Sequence, residues 1–311
     1  MRSTSLRVLA LGTVFLAASA CLGPQEDPTS IKDLRVIGMA FEPAELQAPT
    51  CRLDATSTAF TFARPVTLRA LIVDPGQSRT FDYELKACAS TGDRKCENDN
   101  DYTVIKVGQT KAGEFVDTFQ LGAQFLPDGT ALLQETADQD RYQGLGGIRV
   151  PVVLHLKPTD GEELYAQKLM IYSCRLFPQM KSNVQPVLQG MTIDEAEWSD
   201  GAVPELSGKT EGFKLLPVDF TSLQEDYTVP SLSLMPIQLT ESWKVSWYTS
   251  SGTFGSLDTG GTDFSGGSAT HKNTWKPDTR VTERTLVDFW FVVRDGRGGS
   301  SWLHRQAYWS P

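Results

Sequence analysis

Leu286-Val-Asp-Phe-Trp-Phe-Val-Val-Arg294, Asp295-Gly-Arg-Gly-Gly299 and Ser301-Trp-Leu-His-Arg-Gln-Ala-Tyr308 together decide the fold class of this chain. The first and last segments are apolar, β-branched and aromatic, as strands are. The middle one carries three glycines, where a reversal needs positive φ at little cost. The three pieces therefore read as a β-hairpin. Working outward, similar runs recur. In the second half they are Val187–Ile193, Phe213–Phe220 and Trp243–Tyr248. In the first half they are Leu34–Phe41, Val66–Val73, Phe81–Cys88, Ile148–Leu156 and Glu163–Cys174. Asp74-Pro75-Gly76 ends one strand, and Pro158-Thr-Asp-Gly161 joins two others. The order of these pieces repeats over Asp33–Pro178 and Lys181–Pro311, which predicts an all-β chain built as two tandem domains. Gln179–Pro186 is the expected junction. Val104–Gly147 is expected as an insertion in the first domain (33–180), with a short helix over Ala131–Tyr142.

The amino end has a different character. Arg2 and Arg7 precede a compact apolar run, Val8–Ala17, which is too short for a membrane span of roughly 20 residues. Ala18-Ser19-Ala20-Cys21 follows. This string resembles a bacterial lipobox, which implies a signal peptide over 1–20 and a diacylglycerol on Cys21. Leu22, rather than an aspartate, follows the cysteine, and by the same resemblance this favours the outer membrane. Residues 21–32, with Pro24 and Pro28, are expected to tether body to lipid.

Trp243-Lys-Val-Ser-Trp247-Tyr-Thr-Ser-Ser-Gly252, Asn273-Thr-Trp275-Lys-Pro277 and Phe291-Val-Val-Arg-Asp295-Gly-Arg-Gly-Gly299 resemble bacterial Ig-like or PKD-like domains. Asp33-Leu-Arg-Val-Ile-Gly-Met-Ala-Phe-Glu-Pro43 and Val66-Thr-Leu-Arg-Ala-Leu-Ile-Val-Asp-Pro75 are similar to lipoproteins of the myxobacterial type. The resemblance implies two tandem Ig-like β-sandwiches, the second over 181–311. It says little about activity, because sandwiches host many roles.

Four cysteines remain beyond Cys21, an even number, which in an oxidising compartment reads as disulfides. Three pairings can be drawn. The favoured one joins Cys88 to Cys96 across a short polar loop, and Cys51 to Cys174 across most of the first domain. No CxxC spacing suggests zinc, and no metal or cofactor is expected. His155, His271 and His304 are the only histidines, and neither GxSxG nor HExxH occurs. Gly208-Lys209-Thr210 lacks the upstream glycine of a phosphate loop, since Val203 stands there. Glu97-Asn-Asp-Asn-Asp101 is oxygen-rich but lacks an EF-hand frame, and reads as a solvated loop.

The chain is acidic, at net charge −9, and becomes more so once Arg2 and Arg7 are removed. That disfavours nucleic acid and anionic lipid as partners. All seven tryptophans fall after position 197. Strand periodicity puts Trp243, Val245 and Trp247 on one face, and Trp302, His304, Gln306 and Tyr308 on another. The expectation is a non-catalytic structural or protein-interaction module of the envelope, anchored through lipid. The alternative is a carbohydrate-binding lipoprotein that stacks Trp243, Trp302 and Tyr308 on polysaccharide or peptidoglycan.

Overall fold

The computed structural model describes residues 27–51, 61–76, 78–98, 100–142, 144–159, 162–261 and 271–311. The expected signal peptide over 1–20, the expected lipidation site Cys21, Asp99 and the expected Asp160-Gly161 turn lie outside them.

The first half contributes β1 (Arg35–Glu42), β2 (Glu45–Ala48), β3 (Val66–Val73), β4 (Thr80–Cys88), β5 (Tyr102–Lys111), β6 (Gly113–Phe119), β7 (Ile148–Pro158) and β8 (Leu164–Cys174). They form two sheets, ordered β1-β3-β6 and β2-β8-β7-β4-β5. The chain leaves the first sheet after β1, turns at Pro43, and enters the second as β2, parallel to the last strand β8. All other pairings in this half are antiparallel. The alternating burial of β3 and β4 places Leu68 of one sheet and Phe81 and Leu85 of the other between the sheets, with Val152 and Leu154 of β7 beside β4.

The second half repeats this plan with β9 (Met191–Ile193), β10 (Ala196–Trp198), β11 (Glu205–Ser207), β12 (Phe213–Pro217), β13 (Asp226–Pro230), β14 (Pro236–Thr240), β15 (Lys244–Thr249), β16 (Thr253–Phe254), β17 (Asp258–Gly260), β18 (Asn273–Lys276), β19 (Thr285–Arg294) and β20 (Ser300–Ser310). The sheets run β10-β9-β12-β18-β16 and β11-β20-β19-β15-β17, and β11 is again parallel to the last strand. Strand for strand, β1-β3-β6 matches β9-β12-β18, and β2-β8-β7-β4-β5 matches β11-β20-β19-β15-β17. Both halves are Ig-like β-sandwiches. The opening hairpin is β19–β20, paired from Thr285↔Trp309 to Arg294↔Ser300.

The first part of the expected insertion, 104–119, belongs to β5 and β6. Only 120–147 stand outside the sheets, with a single 3₁₀ turn at Leu121–Ala123 and helix α1 (Leu132–Gln139). Leu121, Leu126 and Leu132 seal the first core from below.

A third apolar cluster joins the two sandwiches. Ile31, Ile37, Leu71 and Val73 meet Trp290 and Val292, with Tyr248 and Trp302 at its rim. The outer face of β15-β19-β20 is therefore covered by the β1-β3 sheet of the first half. Gly38 permits this approach, since a Cβ there would stand 2.8 Å from the Trp302 ring. The end of the expected tether is part of the same contact. Ser30 bridges Thr249 in parallel, Ile31 N–H donates to Thr249 at 2.8 Å, and Thr29 Oγ1 accepts from Phe254 N–H at 2.9 Å. Thr29–Ile31 is thus bound to the second sandwich before the chain enters the first.

Candidate functional site

Both favoured disulfides are formed, Cys88–Cys96 at 2.06 Å and Cys51–Cys174 at 1.98 Å. Around the shorter one the Asp93 carboxylate accepts N–H groups from Lys95, Glu97 and Asn98. These bonds hold its carboxyl below the usual range, although burial opposes them as the largest single influence. The oxygen-rich loop is a turn organised by its own backbone.

The three aromatic residues expected to stack on sugar do not form a platform. Trp243 is 3% exposed and donates its indole N–H to Glu241 at 2.8 Å. Trp302 lies half-buried against Gly38, with Arg69 over its ring at 5.4 Å. Tyr308 is half-buried beneath Arg284, whose guanidinium stands 3.3 Å from the ring centre. The excess of tryptophan has another explanation. Trp198, Trp243, Trp247, Trp275 and Trp309 fill the second core, and Trp290 and Trp302 serve the contact between sandwiches. Periodicity identified which rings share a face. It could not show that a second domain covers the outer one.

Two of the three histidines are also occupied, and His271 stacks on Phe220. His155 is 3% exposed, stacks on Tyr165 at 4.0 Å, and meets Glu84 at 3.3 Å through Nδ1 and Glu163 at 3.0 Å through Nε2. Its two nitrogens point at different carboxylates, so neither is left for a substrate proton. His304 is held by Asp288 at 2.8 Å. Among the described residues, no group of three or more His, Cys, Asp or Glu is placed to hold a metal ion.

The feature that does stand out is the β13–β14 hairpin, which belongs to neither sandwich sheet. No charged residue occurs from Tyr227 to Thr240. Leu232 is 83% exposed and Met235 63%, with Leu234, Ile237 and Leu239 also exposed. Exposed single leucines are ordinary, but five large apolar side chains within eight positions are a patch. The tip is internally bonded. Ser231 N–H donates to Met235 at 2.8 Å, Leu234 N–H to Ser231 at 2.9 Å, and Met235 N–H to the Ser231 hydroxyl at 3.0 Å. Its base is fixed by Arg297, which lies 4.2 Å from the Tyr227 ring centre and 3.1 Å from Glu241. The sequence carries a signal here, an uncharged apolar run between Pro230 and Pro236, which the strand assignment above passes over.

The seam between the sandwiches gathers polar groups. Asn183, in the junction, donates its backbone N–H to Glu45 at 2.8 Å and its side-chain amide to Asp295 at 2.6 Å. The Gln185 amide accepts from Ser300 N–H at 2.7 Å and donates to the Phe41 carbonyl. Burial pushes the Glu45 carboxyl up, against the Asn183 bond and Arg297. Burial pushes Lys168, on β8, down to about 8; Arg294 adds to this and Asp295 opposes it.

No protein-family profile matches the chain, and no curated protein sequence matches it. Solved structures align over most of its length at low similarity. A red sea bream transglutaminase matches at 8% identity over 89% of this chain, with a TM-score of 0.24, and this chain spans about a third (31%) of that one. The periplasmic chaperone SfaE matches at 9% identity over 88% of this chain and 99% of its own, with a TM-score of 0.26. The two tandem V-type regions of VCBP3, a chitin-binding protein, match at 12% identity over 91% and 100%, with a TM-score of 0.20. None of these likenesses carries an activity to this chain. The Ig-like assignment rests on strand order.

Proposed function

We propose that this chain is an outer-membrane lipoprotein, held by lipid on Cys21, whose paired sandwiches form a non-catalytic protein-interaction module of the cell envelope. The observation that carries the reading is the β13–β14 hairpin. It presents Leu232, Leu234 and Met235 to solvent, without charge, on a base that is rigidly bonded to the second sandwich. A partner that covers these side chains would gain roughly 25 cal/mol per Å² of apolar surface removed from water. Two disulfides support a compartment outside the cytoplasm.

A photo-crosslinking amino acid at position 232, activated in intact cells, tests the module. One protein captured in near-equal amount, and lost when Leu234 and Met235 become serine, is the expected result. Diffuse capture unchanged by those substitutions would remove the hairpin from the interface. Anchoring has a separate test. Labelled lipid should enter the native chain and not the Cys21→Ser variant.

A further inference from the structure

We propose that the crevice between the two sandwiches recognises a peptide C-terminus, that is, a carboxylate beside amide donors. The crevice has a volume of about 260 Å³. Its walls come from β2 and β8, the 144–147 turn, the junction, the base of the hairpin, and the turn between β19 and β20. Three observations converge there.

The first is an orphan. Gln47, on the crevice wall, has its Oε1 buried with no hydrogen-bond partner among the described residues. A buried amide left unpaired costs free energy that an incoming N–H group would recover. The second is charge. Arg149 and Lys181 line the crevice, and neither has a carboxylate partner among the described residues. Arg149 donates only to the Gly147 carbonyl, at 3.1 Å. Arg297 is different, since Glu241 and Glu225 already neutralise it. Arg149 also lines a second opening of about 360 Å³ with Lys168, whose side chain has no hydrogen bond or ion pair among the described residues. In a chain of net charge −9, three unpaired cations around one seam complement an anion. Glu45 is the one acid in the lining. Its burial favours the neutral form, and one carboxylate oxygen already accepts from Asn183. The third is the apolar wall of Ile171, Met180 and Val229, which would receive the terminal side chain. A terminal carboxylate on Arg149 and Lys181, an amide N–H on Gln47 and an apolar side chain on that wall use all three.

This site is distinct from the exposed hairpin tip, and its test does not depend on a partner covering Leu232. The probe is N-acetyl-alanyl-leucine, titrated into the mature chain and followed by backbone amide shifts and calorimetry. Its C-terminal amide and glucuronic acid are the comparison ligands. The expected result is shifts at Gln47, Gly146 and Arg149, with the amide bound at least roughly tenfold more weakly than the acid. Arg149→Gln should weaken the acid by a similar factor, and Gln47→Leu by several-fold, both at unchanged Tm. Leu234→Ser with Met235→Ser, and Arg280→Gln on the exposed surface, should leave the affinity unchanged. Equal binding of acid and amide, or no shifts at the crevice, overturns the proposal, as the crevice then holds water alone. Glucuronic acid binding at these residues in place of the peptide overturns it in favour of an acidic sugar. Should Arg149→Gln not fold, the comparison of acid with amide on the native chain still decides.

Discussion

Glu241 is 4% exposed and carries more of the second sandwich than its charge suggests. It accepts from the Trp243 indole at 2.8 Å, from Glu225 N–H at 3.2 Å and from Arg297 at 3.1 Å. Glu241→Ala leaves the indole donor unpaired and strips the largely buried Arg297 guanidinium of its nearer carboxylate, with Glu225 remaining at 3.8 Å. We expect a loss of about 3–5 kcal/mol in urea unfolding, the range for breaking one side of a buried pair. Lys168 gives a pH dependence of definite sign. Its folded pKa is lowered from 10.5 to about 8, so the folded state disfavours the charged form. Below pH 8 both folded and unfolded chains hold the proton, and the penalty is fully present. Between about pH 8 and about pH 10.5 the folded chain releases it first, and stability rises. Lys168→Met should be more stable than the native chain at pH 7 and should converge on it as pH rises through that window. Paired urea titrations at neutral and alkaline pH check this, and a gap that does not narrow counts against it.

At the scale of elements, the two disulfides differ in what they constrain. Cys51–Cys174 spans 123 positions and Cys88–Cys96 spans 8. Chain entropy gives nearly 5 kcal/mol for the long loop and roughly 2.6 kcal/mol for the short one. Replacing Cys51 and Cys174 by serine should therefore lower the urea midpoint more than replacing Cys88 and Cys96, and the reverse order would point to strain or to residual structure in the unfolded chain. How legible an element was in the sequence followed its burial. β19 is almost continuously apolar and is followed by Asp295-Gly296, so hairpin and turn could be read directly. The same holds for β3, β4 and β7, buried on at least one whole face. β5 was missed because most of it faces solvent: Lys106, Lys111 and exposed Val104 and Val107 give no alternation to detect. β6 buries only Phe115 and Asp117. The candidate site was harder to read still. The crevice wall comes from six separated stretches, none with a recognisable motif. Trp243, which a sequence reading offers to a ligand, is needed by Glu241 instead.

For the molecule as a whole, the contact built on Trp302, Trp290, Ile31 and Ile37 joins the two sandwiches through one apolar cluster. Trp302→Ala opens a cavity on Gly38 and removes the stack under Arg69. We expect calorimetry to resolve one transition in the native chain and two in this variant, and a single transition in both would show that the seam's polar bonds suffice alone. The contact also runs against the direction in which a chain is made. Thr29 is bonded to Phe254, 225 positions later. A ribosome delivers the amino end first. The opening residues therefore wait, unpaired, until the partner edge of β15 has been made. During that interval Ile31, Leu71 and Val73 form a bare apolar face on an otherwise finished first sandwich. A chain cut short anywhere before β15 keeps that face open indefinitely, which makes it a recognisable mark of an incomplete product for any holdase or protease that meets it.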